Sequence, residues 1–310
     1  MFLLRKPILA LSDSSRVRDA LVKAPVTRSV VDRFVPGATT AEAVRAVRSL
    51  AVGGLKVTMD YLGEGVTDTV GATATVDAYL ALIQALADTG LAAGNEVSVK
   101  LSAVGQALPD GETIATANAQ RIVTAAYLVG ARVTLDMEDH TTVDSTLRVL
   151  RALRTEQPDV GIAIQAMLHR TPHDLEALTH KGSRVRLVKG AYNEPVSAAH
   201  QDAAEVDLAY VRALRQLMAG DGHPMVGSHD PRLIEIAGQL AIENHRAPGD
   251  FEYQMLYGIR PDEQRRLARA GHTVRVYVPY GDDWYGYFTR RLAERPANLL
   301  FFLRSLTSRN

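Results

Sequence analysis

The chain has 310 residues, 35 acidic and 35 basic side chains, and 46% hydrophobic residues, which is typical of a globular protein large enough to bury a full core. The balanced charge argues against nucleic acid as the main partner, because a nucleic-acid-binding surface normally leaves a basic excess. The chain has no cysteine, which excludes disulfides, zinc–thiolate sites, iron–sulfur clusters and cysteine nucleophiles.

The first residues, MFLLRKPILALS, have the apolar character of a signal peptide, but Arg5, Lys6 and Pro7 interrupt the run and no small-residue cleavage site follows. No apolar stretch is expected to reach the length of a membrane-spanning helix. We therefore expect a cytoplasmic protein. The apolar segment 297–306 leaves room for a peripheral contact with the inner face of the membrane, although a terminal helix packed on the core is the simpler interpretation.

Short β-rich runs alternate with longer helical patterns after an N-terminal stretch, to about residue 50, that we expect to be helical. The runs lie at 55–64, 96–104, 132–138, 160–168, 184–192, 224–229, 251–258 and 273–281. Alternating strands and helices predict parallel βαβ units, and eight such units in this length predict a TIM-type (βα)8 barrel. No linker divides the chain, so one domain is expected over residues 1–310.

Two nucleotide-binding folds are disfavoured by missing motifs. No Gly-x-Gly-x-x-Gly follows a predicted strand, and the chain has no Gly-Lys-Ser or Gly-Lys-Thr phosphate loop. A Rossmann domain and a P-loop NTPase normally carry these signatures.

Polar side chains recur near the ends of the predicted strands. They are Glu64, Lys100, Asp136, Gln165, Arg186, Lys189, His229, Gln254 and Tyr277. The carboxyl ends of the strands surround the active site of a (βα)8 barrel, so we expect a single site there. Its cations outnumber its two obvious acids, Glu64 and Asp136, which favours an anionic ligand or a phosphorylated cofactor.

The histidines are poorly spaced for a metal site, because no His-x-His pair ends a strand, and we expect no metal. Lys189 could form a Schiff base with a carbonyl substrate, as in barrel aldolases, with Arg186 beside it favouring the neutral amine. Gly190 and Ala191 instead suggest backbone amides that are open to a phosphate. A lyase, and a barrel that binds a ligand without turnover, both remain alternatives.

The segment YGYFTRRLAERP, at 285–296, places Arg290 and Arg291 side by side. Adjacent residues on a helix point about 100° apart, so an exposed helix with pairs to Glu294 explains them. A guanidinium also holds a carboxylate through two parallel hydrogen bonds. The pair therefore fits either a solvated helix or a clamp for an anion.

Seven motifs occur together and in a characteristic order: VKLSA, LDMED, RLVKGAY, GSHDP, FEYQMLYGI, VYVPYG and YFTRRLAE. With them, from about residue 30 to the C-terminus, the chain resembles the monofunctional bacterial proline dehydrogenases, flavin-dependent enzymes of proline catabolism. The resemblance implies a distorted (βα)8 barrel with a C-terminal helix that carries the arginine pair. It also implies non-covalent FAD at the carboxyl ends of the strands, and oxidation of L-proline to Δ1-pyrroline-5-carboxylate, the first step of degradation to glutamate.

The same resemblance implies roles for individual residues. Asp136 would orient Lys100, and Arg186 would hydrogen-bond the flavin N5. The substrate would be bound by Lys100, Arg290 and Arg291 at its carboxylate, with Glu64 paired to Arg290, and by Tyr277, Tyr287 and Leu256 at its ring. The flavin would also contact Met137, Gln165, Lys189, Gly190, Ala191, Ser228 and His229. A quinone or another electron acceptor, and a pyrroline-5-carboxylate dehydrogenase downstream, are the implied partners.

Overall fold

The computed structural model describes residues 31–63, 65–285 and 287. The strands within this part of the chain are β1 Lys56–Tyr61, β2 Glu96–Val99, β3 Arg132–Leu135, β4 Gly161–Gln165, β5 Arg184–Val188, β6 His223–Gly227, β7 Glu252–Leu256 and β8 Val274–Tyr280. The α-helices there are α1 Thr40–Val52, α2 Thr69–Asp88, α3 Gly111–Leu128, α4 Val143–Arg154, α5 Thr171–Glu176, α6 Ala203–Ala219, α7 Pro231–Glu243 and α8 Pro261–Arg269.

The strands form one closed parallel barrel in chain order. The last pairing closes the barrel, with β1 beside β8 from Lys56 opposite Arg275 to Tyr61 opposite Tyr280. Seven predicted β-rich runs contain a strand and the eighth, 224–229, overlaps β6, so the prediction of a (βα)8 barrel is confirmed. Helix α1 lies before the first strand, within the expected helical stretch; residues 1–30 and the expected C-terminal arginine helix lie outside the described residues.

Strand residues alternate between two environments, as the two-residue period of a β-strand requires. In β1, Val57 and Met59 belong to the main apolar cluster that joins the strands to the surrounding helices. Thr58 and Asp60, the residues between and after them, instead contact polar groups of other strands inside the barrel. The barrel therefore has an apolar outer layer and a polar interior.

Helix α2 corrects one sequence-based expectation. It is the one helix among the described residues that has the length and apolar composition to cross a membrane, so the expectation that no stretch reaches that length is wrong. Its buried side chains include Val76, Tyr79, Leu82, Ile83 and Leu86, and the Tyr79 hydroxyl donates to the Ser98 carbonyl at 2.6 Å. These contacts explain its apolar composition, because the helix packs on the barrel.

A buried group of charges occupies the amino-terminal end of the barrel. Arg275 donates two parallel hydrogen bonds to Glu252, at 2.7 and 3.0 Å, and Arg184 lies 3.3 Å from Glu96. Burial alone would raise the pKa of the Glu252 carboxyl, but Arg275, His223 and Arg184 hold that pKa well below 4.5. These charges pair with one another, so we interpret the group as part of the structural core of the barrel.

Replacing Arg275 with methionine is expected to lower the free energy of unfolding by about 3 kcal/mol, because it leaves the buried Glu252 without its main partner. Stability should also depend on pH. Since the folded pKa of Glu252 is below 4.5, the unfolded chain binds more protons, and wild-type stability should fall as the pH drops below that value. Urea unfolding at several pH values measures both effects.

Arg148→Met is the matched control for this prediction. Arg148 also holds a glutamate through two donors, but both it and Glu112 are exposed. An exposed pair contributes less than about 1 kcal/mol. Equal losses of stability in the two variants would contradict a buried charge group at this end of the barrel.

Candidate active site

Four polar side chains meet inside the carboxyl-terminal half of the barrel. The Lys100 ammonium lies 2.6 Å from an oxygen of Asp60, 3.4 Å from Asp136 and 3.2 Å from the Tyr277 hydroxyl. The hydroxyl in turn donates to Asp136 at 2.8 Å. Lys100 directly follows β2 and Asp136 directly follows β3, so strand pairing alone brings them together.

Arg186 connects this group to the charges at the other end of the barrel. One of its terminal nitrogens lies 2.7 Å from both Asp136 and Ser98, and the other donates to Glu96 at 3.0 Å. Its Nε donates to Gln254 at 2.5 Å. We call the following residues the central network: Asp60, Lys100, Asp136, Arg186 and Tyr277. Its members bond to one another, and Arg186 also bonds to Glu96 toward the amino-terminal end of the barrel.

Burial and neighbouring charge act differently on the two acids of the network. Burial raises the pKa of Asp60, and Lys100 only partly offsets that effect. Burial would also raise the pKa of Asp136, but Lys100 and Arg186 together hold it below its usual value. Burial and the two carboxylates raise the pKa of Tyr277 well above 10, so its hydroxyl stays protonated and can donate.

Asp60 is a further acid at the site, beside the expected Asp136. Within the described part of the chain, eight charged side chains lie inside the barrel, none with more than 13% of its side chain exposed. They are the acids Asp60, Glu96, Asp136 and Glu252 and the cations Lys100, Arg184, Arg186 and Arg275. The described interior thus holds equal numbers of acids and cations, and the cations expected at Arg290 and Arg291 lie outside the described residues.

Three of the expected strand-end residues lie within their strands. Arg186 is the third residue of β5, Gln254 the third of β7 and Tyr277 the fourth of β8. Their long side chains point into the barrel and reach the central network or its supports. The signal that could have identified their partners is the spacing of two, since polar residues at Thr58 and Asp60, and at Glu96 and Ser98, mark inward-facing positions.

An apolar wall lies at one side of the central network. Tyr287 is 5% exposed and belongs to a second apolar cluster, against which Leu256 and Tyr277 pack. The structure thus brings together the three residues expected at the substrate ring. His229 supports the wall, because its Nε2 accepts the backbone N–H of Leu256 at 2.8 Å.

The other residues expected at the cofactor follow the strands on the same end of the barrel. Met137 and Gln165 are buried, and Gln165 donates to the Glu138 carbonyl at 2.7 Å. Gly190 has φ +113°, and a Cβ there would lie 2.5 Å from the Met167 sulfur. Only glycine fits there, so the backbone after β5 can pack directly against Met167.

Lys189 is more exposed than the central network, whereas Ser228 is buried. The Lys189 ammonium contacts Asp207 and also lies 3.4 Å from Asp230, and its side chain is 35% exposed. The Ser228 hydroxyl accepts the Asp230 backbone N–H at 3.1 Å. Arg186 is bound by other groups inside the barrel, whereas Lys189 contacts two carboxylates near the surface.

A family model described as proline dehydrogenase matches residues 43–304. The chain belongs to the proline dehydrogenase family. The prediction of a proline dehydrogenase, an oxidoreductase of proline catabolism, is confirmed by this match and by similar proteins. The comparisons do not favour a lyase.

Two relatives are similar to this proline dehydrogenase over almost its whole length. Proline dehydrogenase from Deinococcus radiodurans is 38% identical over 307 residues, which cover 98% of each chain. Proline dehydrogenase 1 from Bacillus subtilis strain 168 is 37% identical over 304 residues, which cover 98% of this chain and 99% of the relative.

Solved structures with the same barrel include much longer proteins. Proline utilization A from Bdellovibrio bacteriovorus, inactivated by N-propargylglycine, has a TM-score of 0.78 and 25% identity, over 86% of this chain. This proline dehydrogenase spans about a third (33%) of the length of that structure. The similarity therefore concerns the barrel, and not the remainder of the larger protein.

Three expected substrate residues of this proline dehydrogenase lie outside the described residues: Glu64, Arg290 and Arg291. The sequence analysis did not single out four acids: Asp60 in the central network, Glu96 bound to Arg186 of that network, and Glu138 and Glu194 on the loops above it. Asp60 and Glu96 are acids within strands. Glu138 and Glu194 join one loop to another, and no local pattern distinguishes such acids from exposed ones.

Proposed function

We propose that the chain oxidises L-proline to Δ1-pyrroline-5-carboxylate with a non-covalently bound FAD above the central network. The observation that supports this most directly is that the polar side chains of the central network lie beside an apolar wall. Lys100 and Tyr277 are held by Asp60 and Asp136, and Tyr277 also packs with Leu256 and Tyr287. A small cyclic amino acid requires both kinds of surface.

Proline would be oriented by its two ends. The ring would pack against Leu256, Tyr277 and Tyr287, whereas the carboxylate would be held by Lys100 with Arg290 and Arg291. The arginine pair is carried over from the YFTRRLAE motif alone. Holding one substrate in a reactive orientation can contribute about 7 kcal/mol or more to lowering a barrier.

The residues near the strand ends fit a flavin dinucleotide in their chemistry. Gly190 permits close approach of the backbone at Met167, and Gln165 is a buried amide that can meet a polar ring edge. Lys189, at the rim, is a cation suited to a phosphate. Met137, Ala191, Ser228 and His229 would complete the contacts, and Arg186 would donate toward the reactive nitrogen of the ring.

FAD, when bound, supplies the acceptor for the hydride that leaves proline C5. The chain's part is to orient C5 and to exclude water. The proline nitrogen must be uncharged for hydride loss, because its lone pair forms the new C=N bond and its proton passes to solvent. Activity should therefore rise with pH until the amine of the bound substrate is deprotonated.

The acceptor that reoxidises the flavin is proposed to be a membrane quinone. That assignment goes with a cytoplasmic location and a peripheral contact on the inner face of the membrane. The product would be consumed by a pyrroline-5-carboxylate dehydrogenase. The Schiff-base alternative is weakened by Lys189 itself, because its side-chain nitrogen is already bound by the carboxylates of Asp207 and Asp230.

Turnover of L-proline with a short-chain quinone tests the proposal. The protein loaded with FAD should form one Δ1-pyrroline-5-carboxylate for each quinone reduced, measured by mass spectrometry and by quinone absorbance. Borohydride with a carbonyl substrate is the test of the alternative and should leave Lys189 unmodified. Trapping at Lys189 with no quinone reduction would contradict the proposal.

A further inference from the structure

The segments that follow β2 and β3 stay joined beyond the ends of these strands. The Asp136 N–H donates to the Val99 carbonyl at 2.8 Å. Farther along, the Glu138 carboxylate accepts two hydrogen bonds from Ser102, one from its backbone N–H at 3.0 Å and one from its hydroxyl at 2.5 Å. Lys100 lies between Val99 and Ser102 in the chain, so its backbone is held to the neighbouring segment on both sides.

The residues after Lys100 form a short 3₁₀ turn, Ser102–Val104, which also packs on the outer layer of the barrel. Leu101 and Val104 are fully buried in the main apolar cluster, and the Val104 carbonyl accepts a side-chain N–H of Asn118, on α3, at 3.0 Å. Apolar burial is non-directional, whereas hydrogen bonds have a preferred geometry. The bonds from Ser102 therefore add what the packing does not supply, a defined position relative to the segment after β3.

Glu138 is a carboxylate in a buried position. The residue is 8% exposed, and a buried carboxylate is destabilising unless hydrogen bonds satisfy it. Ser102 supplies two such bonds, and a bond to a charged acceptor is stronger than a bond between neutral groups. The Glu138 carbonyl makes a further link, because it accepts the Gln165 amide at 2.7 Å. Glu138 thus joins the carboxyl ends of three neighbouring strands, β2, β3 and β4.

We propose that Glu138 is a positioning residue for the substrate carboxylate: by binding Ser102 it fixes the turn after Lys100 against the segment after β3, and so sets where the Lys100 ammonium lies. This inference rests on the proposed function for the identity of the ligand. The Lys100 side chain has its own contacts in the central network, and Glu138 acts on the backbone from which that side chain extends. A displacement of about 1 Å in a site of this kind can cost about a hundredfold in rate.

Four variants separate this link from a general loss of stability. Glu138→Ala removes both bonds to Ser102, and Ser102→Ala removes the hydroxyl bond alone. Glu138→Gln keeps an oxygen for the Ser102 N–H and an amide that can donate to the hydroxyl. Asp139→Ala is the matched control, because the Asp139 carboxylate also accepts a backbone N–H, at 2.9 Å, and a hydroxyl, but both come from Thr141 in its own loop.

The first readout is steady-state kinetics with L-proline and an artificial acceptor, on protein saturated with FAD. Glu138→Ala is expected to raise KM for L-proline at least about tenfold with a smaller change in kcat, because the contact with the carboxylate is made before and during the reaction. Glu138→Gln and Ser102→Ala should raise KM less, and Asp139→Ala should stay within about threefold of wild type. The thermal midpoint of each variant is measured alongside. An unchanged KM in Glu138→Ala, or an equal rise in Asp139→Ala, would overturn the proposal.

The second readout needs neither cofactor nor substrate, so it distinguishes failure of this inference from failure of the proposed function. Hydrogen exchange of the apoprotein at residues 102–104 should be about tenfold faster in Glu138→Ala than in wild type, and unchanged in Asp139→Ala, where the Thr141 amide should exchange faster instead. Unchanged exchange at 102–104 in Glu138→Ala would overturn the positioning role. The expected exchange difference together with a wild-type protein that does not oxidise L-proline would contradict the proposed function, and with it the role of Glu138 at the substrate.

Discussion

Replacing Lys100 with methionine is expected to lower kcat/KM for L-proline by about a thousandfold, the scale seen when one preorganised polar group is lost from an active site. Lys100 is the cation at the centre of the network, and it lies 2.6 Å from Asp60 and 3.2 Å from the Tyr277 hydroxyl. Its loss removes the proposed contact with the substrate carboxylate. It also removes one of the hydrogen bonds that hold the Tyr277 hydroxyl. Steady-state kinetics with an artificial acceptor measures the change.

The same variant should be unstable in a way that depends on pH. Asp60 is fully buried and its second oxygen accepts no hydrogen bond from the described residues. Burial already raises its pKa, and without Lys100 the pKa rises further. The folded variant then binds more protons than the unfolded chain, so its free energy of unfolding falls as the pH rises through the folded pKa. Urea unfolding at pH 5 and pH 8 should differ by about 2 kcal/mol or more.

The double variant Lys100→Met, Asp60→Asn is the control for that interpretation. Replacing both partners removes the uncompensated charge, and stability at pH 8 should return to within about 1 kcal/mol of wild type. Activity should stay low, because the cation is still missing. Equal stability of Lys100→Met at the two pH values would contradict the assignment of Asp60 as its buried partner.

Replacing Arg186 with methionine is expected to lower the free energy of unfolding by about 3–5 kcal/mol, because Asp136 and Glu96 lose a buried cation. Arg186 makes short bonds to both acids and to Gln254. Its loss should also displace Asp136 and Tyr277, with kcat/KM falling about a hundredfold or more. Urea unfolding and steady-state kinetics measure the two effects.

The acid side of the stability profile gives a sharper test of Arg186. Its charge helps to hold the pKa of Asp136 below 3.8, so in wild type the stability from Asp136 is lost only as the pH falls through that lowered value. In Arg186→Met the loss should begin at a higher pH. Arg186→Lys keeps a charge but cannot bind two acids and Gln254 at once, and it should lie between the two. If the free energy of unfolding of Arg186→Met fell with acid over the same pH range as that of wild type, the pairing with Asp136 would be excluded.

The barrel was predictable because its strands carry a local signal. Runs such as VGIAIQAML and RVRLVKGAY are short, β-rich and bounded by turn residues, and alternation with helices leaves few topologies. The positions of Lys100 and Asp136 followed from the same logic, since each directly follows a strand. The sequence therefore predicted where these two residues lie, but not which residues they contact.

The two-residue period could mark inward-facing acids, but it could not predict which cation each acid contacts. Lys100 binds an acid 40 residues before it, and Arg186 binds one 90 residues before it. Which acid meets which cation depends on the register of strands around the closed barrel, and a one-residue shift would turn each side chain to the other face. Glu194 shows the same limit for loops, because its partner His140 lies 54 residues away.

The central claim is that this chain removes a hydride from L-proline with a flavin. Its most direct test is the visible spectrum of the protein loaded with FAD, recorded without oxygen before and after L-proline is added. We expect the absorption of the oxidised flavin to disappear with L-proline and to persist with D-proline at the same concentration. A bound flavin that stays oxidised at saturating L-proline would contradict it.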